Sequence, residues 1–136
     1  MKTVITPPPP TKEATYPALV VFSGNTEFWW LRWLKPGFRH CFMVLEMENT
    51  WVVYDPLSHQ TKIALFPVST QINLAAWYEA SDCTVVPCTT TAAPPRMAPF
   101  FLFTCVEAIK RVLGIHDRRI LTPWQLHKKL RSEFFP

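Results

Sequence analysis

The stretch "APFFLFTCVEAIKRVLGI" (residues 98–115) carries one of the two best-marked helical patterns in this chain of 136 residues, with Cys105 near its start. Apolar residues recur at helical spacing and Gly114 is a typical residue to end a helix, so the pattern predicts a helix from about Phe101 to Leu113. Free backbone N–H groups at a helix start favour an anion and can lower a thiol pKa. Cys105 is therefore either a reactive thiolate or an ordinary small residue of the core.

A nucleophilic cysteine needs a base within reach, and the chain offers four histidines: His40, His59, His116 and His127. Only His40 opens an apolar, strand-like run, "HCFMVLE", and a residue at the mouth of a strand can face the N-terminus of a neighbouring helix. His59 follows a turn, and the other two lie at polar helix ends. His40 is therefore the candidate base for Cys105.

Upstream of this helix, short apolar segments predict a sheet together with two further helices. The residues "ENT" (48–50) between two apolar runs are typical of a β-hairpin turn. The strand segments are "ALVVFSG", "RHCFMVLEM", "TWVVYDP", "TKIALFPV" and "CTVVPCT", and the helical segments are "NTEFWWLRWLKPGF" and "NLAAWYEAS". This order predicts an α+β fold with a mainly antiparallel sheet.

Local signals mark where the other helices begin and end. In "TPWQ", Thr122 is the predicted N-cap, Pro123 takes the first helical position and Gln125 completes a capping box. The tryptophan-rich helix is capped by Asn25 or Thr26 and stops before the Pro-Gly pair at 36–37. The C-terminal helix is thus predicted with a defined start.

The chain divides into residues 1–16, an extended arm, and residues 17–136, a single domain. Four consecutive prolines, Pro7 to Pro10, favour polyproline II and cannot join a helix or a central strand. A second Pro-rich segment, "TTTAAPPRMAP" (89–99), predicts a linker inside the domain. The arm and the tryptophan-rich helix could meet a protein partner, although dense packing of the tryptophans in the core is the simpler alternative.

Composition limits the class of protein further. Apolar residues make up 49% of the chain and aromatic residues 14%, which excludes disorder throughout. No apolar run approaches the ~20 residues of a membrane span, and no secretory signal is evident, so we expect synthesis in the cytoplasm and free cysteines. The net charge of +4 arises from residue 101 onward. This basic part could meet an anionic partner or form the solvent sides of two helices, and it gives no strong nucleic-acid signal.

The order of these segments resembles the circularly permuted papain-like cysteine hydrolases, the permuted NlpC-like peptidase and amidase group related to lecithin–retinol-acyltransferase-like proteins. "ALVVFSGNTEFWWLRWLKPGFRHCFMVLE" is similar to their opening strand, aromatic helix and histidine-bearing strand. "FTCVEAIKRVLGI" resembles their nucleophile helix, and "ILTPWQLHKKL" their closing helix. The likeness covers residues 17–131. It implies a permuted papain-like fold with the nucleophile helix near the C-terminus.

The resemblance assigns roles to particular residues. Cys105 matches the nucleophile, His40 the general base, and the third member falls at Tyr54 or Asp55. Asp55 is the better chemical choice because a carboxylate can accept a hydrogen bond from the imidazole, although Asp-Pro also begins turns. The backbone N–H of Cys105 is the candidate oxyanion donor. Cys41 departs from the family pattern, in which a small or β-branched residue often follows the histidine.

The implied function is a cysteine peptidase or amidase without a cofactor, which cleaves an amide bond through a thioester. Its substrate would be a protein, peptide, isopeptide or peptidoglycan stem peptide. The alternative is a structural or binding subunit of a larger assembly, such as a phage particle, which would make the protein virion-associated. Acyl transfer on lipid also follows from the relatives, but no anchoring segment accompanies it. The spacing of four residues between Cys83 and Cys88 is loose for a pair of zinc ligands, and no second pair follows. We therefore expect these cysteines to pack within a strand, and no metal site is predicted.

Overall fold

The computed structural model describes residues 15–24, 33–57, 60–68, 73–90 and 104–135. In this part of the chain, five strands form one antiparallel sheet that is accompanied by three helices. The elements in chain order are β1 (Pro17–Ser23), β2 (His40–Met47), β3 (Thr50–Pro56), β4 (Thr61–Pro67), α1 (Leu74–Ala80), β5 (Thr84–Thr89), α2 (Cys105–Leu113) and α3 (Pro123–Phe134). The α+β class and the antiparallel sheet predicted from the sequence are confirmed.

The strands lie in the order β4-β3-β2-β1-β5, so β1 and β2 form the centre of the sheet. Strands β2 to β4 are joined as a meander, and each pairs with the next along the chain. Helix α1 follows β4 in the chain, and β5 then pairs with β1 at the opposite edge of the sheet from β4. The strand that carries His40 is therefore held by a neighbour on both sides.

A tight turn fixes the register between β2 and β3. Glu48 and Asn49 both have positive φ, 44° and 64°, and Met47 pairs with Thr50 across the turn. Asparagine tolerates the left-handed region, and a two-residue turn of this kind matches the right-handed twist of paired strands. The hairpin predicted at "ENT" is confirmed.

The caps of α2 and α3 follow from side-chain chemistry. The Thr122 side chain accepts a hydrogen bond from the Gln125 backbone, and the Gln125 side chain accepts one from the N-cap N–H, which confirms the predicted capping box. Helix α2 ends at Gly114 in the left-handed region, with φ 70°, as predicted. Its predicted start at Phe101 is wrong, because Thr104 is extended and serves as the N-cap through its bond from the Glu107 N–H.

Alternation along the strands divides the sheet into two faces. Residues 18, 20 and 22 of β1, and residues 41 and 43 of β2, face α2 and α3 and join the core. The other face carries Phe42, whose ring contacts Tyr78 of α1 at 5.3 Å between centroids. The core cluster consists of Ala18, Val20, Phe22, Cys41, Met43, Val86, Cys88, Val106, Ile109, Leu113, Ile120, Leu126 and Leu130. Through this packing, α2 contacts β2 and β3.

Several sequence-based predictions lie outside the described residues: the arm from 1 to 14, most of the tryptophan-rich helix (25–32) and the linker from 91. Tyr16, which the sequence assigned to the arm, exchanges two hydrogen bonds with Thr90. Its N–H donates to the Thr90 hydroxyl at 2.9 Å, and its carbonyl accepts from the Thr90 N–H at 2.9 Å. Among the described helices, none combines the length and apolar character needed to cross a membrane.

Candidate active site

His40 and Asp55 meet where β2 begins and β3 ends. Met43 pairs with Tyr54 in the antiparallel ladder of β2 and β3. Asp55, one residue further along β3, therefore lies level with Phe42, close to the start of β2. The His40 Nε2 atom lies 2.6 Å from the Asp55 Oδ1 atom, a short, charge-assisted hydrogen bond. Both side chains are mostly buried, with 19% and 25% of their surfaces exposed. The carboxylate therefore fixes the orientation of the ring and leaves Nδ1 for another partner.

The two candidates for the third position separate on opposite faces of β3. Tyr54 packs against the hydrophobic core beside the helices. Asp55, one residue on, projects to the other face and reaches the imidazole of His40. The structure thus brings Asp55, and not the neighbouring tyrosine, to the base.

Cys105 occupies the first position of α2, next to the N-cap Thr104. Its side chain is half-buried and packs against the core where α2 meets β2. Its sulfur interacts with His40 and with both the side chain and the backbone of Cys41. The cysteine and the histidine that the sequence pairs are therefore neighbours.

The surroundings of Cys105 lower its pKa to about 5. The largest cause is the hydrogen bond with the Cys41 side chain. Burial acts to raise this pKa. The hydrogen bond with His40, the hydrogen bond with the Cys41 backbone and the charge of His40 lower it further. The start of a helix acts in the same direction. A thiolate is thus the resting form of Cys105 near neutral pH.

The same contacts keep His40 protonated. Burial of the ring acts to lower its pKa, but the hydrogen bonds to Asp55 and Cys105 and their negative charges outweigh it and raise the pKa to about 9. Between about pH 5 and pH 9, the site therefore holds a thiolate beside an imidazolium. The two values belong to the pair, because each charge stabilises the other.

The other three cysteines differ from Cys105 in electrostatics. Burial raises the pKa of Cys83 and raises that of Cys88 to about 12. The pKa of Cys41 lies well above its usual value because of its hydrogen bond with Cys105 and its burial. All four are free thiols. Within the described ranges, no group of three or more His, Cys, Asp or Glu side chains is arranged to hold a metal ion.

An aromatic row, defined by Phe42, Tyr78 and Trp77, leads away from the site. The Phe42 ring stacks at 6.3 Å from that of His40, contacts Tyr78 at 5.3 Å, and Tyr78 contacts Trp77 at 5.0 Å. Trp77 is 58% exposed. Sequence reasoning missed this row, because α1 gave only a helical pattern and no indication of the strand it would meet.

The remaining described histidines have other surroundings. His127 lies among aromatic rings, 4.8 Å from Phe38 and 5.3 Å from Trp124, and burial lowers its pKa. His116 is exposed. His59 lies outside the described residues. The pairing of Cys105 with His40 that the sequence suggested is thus the one that the geometry provides.

The basic C-terminal part is largely engaged in ion pairs within the chain. Lys110 is buried and donates to Glu107 at 3.1 Å and to the Ile120 carbonyl at 3.2 Å. Arg119 pairs with Asp117, and the ion pair of α3 joins residues 129 and 133. The interpretation of these cations as the solvent sides of two helices therefore holds for Lys129 of α3, but it is wrong for the buried Lys110 and for Arg119, which lies between α2 and α3.

The chain matches no family model, no curated protein and no solved structure.

Proposed function

We propose that this protein is a thiol hydrolase that cleaves an amide bond through a thioester acyl-enzyme. One observation carries the proposal: His40, anchored at 2.6 Å by Asp55, lies beside a cysteine whose pKa falls to about 5. A nucleophile, a base and a group that orients the base are the parts that such catalysis requires. A purely structural cysteine would need none of these neighbours.

In the first half of the reaction, the thiolate of Cys105 attacks the carbonyl carbon of the substrate. The backbone N–H of Cys105, the first of α2, is aimed by the helix to donate to the developing oxyanion. The imidazolium of His40 then gives its Nδ1 proton to the amide nitrogen as the carbon–nitrogen bond breaks. The amine leaves, and the acyl group remains on sulfur as a thioester.

In the second half, neutral His40 acts as a base. It takes a proton from water, whose oxygen attacks the thioester carbonyl, and collapse of the intermediate expels the Cys105 thiolate with the free acid. Asp55 stabilises the imidazolium each time it forms and holds the same tautomer throughout. The site returns to the ion pair from which it started.

We further propose that the fold is a permuted papain-like fold. The sheet has the base on an early strand and the nucleophile on a late helix, which is the chain order that the resemblance implies. The substrate class that follows is a peptide, an isopeptide or a peptidoglycan stem peptide, since likeness of fold does not select among amide bonds.

The test uses three sets of substrates: fluorogenic peptide amides, lysine isopeptides and purified peptidoglycan. We expect amine release in one set, with an acyl adduct on Cys105 detected by intact mass after acid quenching. Cys105→Ala should lose both, and Cys83→Ala should retain them, because Cys83 lies outside the site. Equal turnover by Cys105→Ala would reject a nucleophilic role for this cysteine.

A second candidate, a binding or structural subunit, is favoured by the edge strand β4. Its side chains Ile63, Leu65 and Phe66 are 68%, 66% and 52% exposed. Open edges with apolar residues are typical of surfaces that meet other chains. If all three substrate sets remain intact while the wild-type protein assembles with itself or with a larger particle, this second function is the better one.

A further inference from the structure

The sheet ends at two edge strands, β4 and β5, which differ in their capacity to accept a further strand. In β5, Thr90 donates its N–H to the Tyr16 carbonyl at 2.9 Å, so alternation turns the backbone of Pro87 to the open side. Proline has no N–H and withholds a donor from that edge, which α1 and α3 also contact. Strand β4, by contrast, is exposed at six of its seven residues.

The hydrogen bonds between β3 and β4 determine which backbone groups of β4 face outward. Val68, just beyond β4, donates its N–H to the Asn49 carbonyl at 3.0 Å, and a second bond at the other end of the ladder has the same phase. In an antiparallel pair, alternate residues bond to the neighbouring strand. The even-numbered residues of β4 therefore bond to β3. In the middle of the strand, Ile63 and Leu65 turn their N–H and C=O groups to the open edge.

The side chains of these two residues share one face of the sheet. Ile63 pairs with Tyr54, which packs against the core, so Ile63 and Leu65 extend the face that carries α2 and α3. Both nevertheless stay mostly exposed. Edge strands are commonly protected by a charge or a proline, but Lys62 and Pro67 lie toward the two ends of β4. The centre of this edge is therefore apolar and open.

A second copy of β4 complements this edge in the antiparallel register centred on Ala64, which aligns the strand over its full length. Ile63 of each chain then lies opposite Leu65 of the other, and such a pair can exchange both of its N–H···O bonds because both residues have outward groups. Their four side chains would form one apolar cluster. Lys62 lies opposite Phe66 of the other copy, where an aromatic ring attracts a cation. The only charge of β4 thus avoids its own copy.

We propose that β4 pairs antiparallel with β4 of a second copy of this chain, so that two sheets join into one across a two-fold axis. Such an interface is self-complementary, since the same strand serves on both sides. A second copy is favoured over another protein because the backbone groups, apolar side chains and charge of β4 all match those of β4 itself. The inference goes beyond the proposed hydrolysis and does not rest on it, because neither Cys105 nor His40 lies in β4.

The experiment is sedimentation equilibrium of the full chain over a concentration series under reducing conditions. The wild type should show a monomer–dimer equilibrium. Leu65→Lys should raise the dissociation constant by at least about a hundredfold, because each dimer loses two leucine contacts and must bury two amines. Leu121→Lys changes a leucine that is 49% exposed outside the sheet and should leave the constant unchanged. Combining Ile63→Glu with Leu65→Lys should restore the dimer, since opposite charges then face each other in the proposed register.

A disulfide probe tests the register directly and does not depend on the charged variants folding. In Ala64→Cys the two new thiols lie directly opposite each other in a non-hydrogen-bonded pair, close enough for a disulfide. Mild oxidation should therefore link two chains of this variant. Lys62→Cys should not be linked, because its two copies are offset by four positions, and the oxidised wild type gives the background.

The outcomes decide between the possible occupants of the edge. A wild-type protein that stays monomeric at every concentration overturns the proposal, whether or not it captures some other protein. A dimer that survives Leu65→Lys places the interface elsewhere, and preferential linking of Lys62→Cys refutes the register. Cys105→Ala should dimerise like the wild type, so loss of hydrolysis and loss of the dimer are distinguishable.

Discussion

Replacing Asp55 with asparagine removes the carboxylate that holds His40 while keeping the size of the side chain. The hydrogen bond to Asp55 is the largest of the effects that raise the pKa of His40 from 6.5 to about 9, and burial works against them. Without the carboxylate, burial is opposed only by the hydrogen bond and charge of Cys105, so this pKa should fall well below 9. The imidazolium would then persist over a narrower pH range, and the thiolate of Cys105 would lose its partner charge at a lower pH.

The size of the effect follows from the difference between folded and unfolded states. The rise of the His40 pKa from 6.5 to about 9 corresponds to about 3 kcal/mol of stabilisation of the imidazolium. Because the folded pKa is raised, this contribution is complete below pH 6.5 and is lost as the pH rises through about 9. Asp55→Asn should therefore destabilise the protein most at about pH 6 and much less at about pH 10.

The assay is NMR of imidazole carbon-bound protons, with the His40 signal assigned by its absence in His40→Ala, together with urea unfolding at both pH values. Tyr54→Phe is the matched control, since Tyr54 is the neighbouring residue on the opposite face of β3 and should leave the titration of His40 unchanged. A His40 midpoint that stays near 9 in Asp55→Asn would refute the assignment of Asp55 as its orienting group.

Three further outcomes are expected. Iodoacetamide near neutral pH should label Cys105 ahead of the other cysteines, and the rate should drop in His40→Ala, as followed by peptide mass spectrometry; equal labelling in both proteins would contradict the ion pair. Cys105→Ala should fold with a loss of about 1 kcal/mol in urea unfolding, because Val106 and Ile109 bury α2 without it; a much larger loss would make Cys105 a core residue. Thr122→Ala should lower the free energy of unfolding by about 1 kcal/mol through loss of the α3 cap, while the alkylation rate of Cys105 stays unchanged.

Features governed by neighbours in sequence were predictable. The capping box of Thr122 and Gln125, the left-handed Gly114 and the turn at Glu48 and Asn49 all depend on the chemistry of a few adjacent residues. The start of α2 was misplaced because apolar residues before Thr104 continue the helical pattern. The threonine instead prefers to cap, since its side-chain oxygen satisfies the Glu107 N–H.

Features that depend on long-range pairing were less accessible. Chemistry alone favoured Asp55 over Tyr54, but the meeting with His40 requires the register of β2 and β3, and a slip of one residue would exchange the two faces. The aromatic row had no signal at all in the sequence. Phe42 and Tyr78 meet only because α1 docks on the face of the sheet opposite to α2 and α3.

Cys105, the first residue of α2, lies beside the first residues of β2, and this position explains why the consecutive residues His40 and Cys41 can both interact with its sulfur. In the middle of a sheet, the side chains of His40 and Cys41 would be separated by the full thickness of the backbone. His40 and Cys41, the first residues of β2, pair with Ser23 and Phe22 of β1, whereas the pairing of β2 with β3 begins only at Met43 and Tyr54. A helix N-terminus placed there can be approached from both faces of the strand. The same placement that supplies Cys105 with a base therefore also supplies it with a second donor.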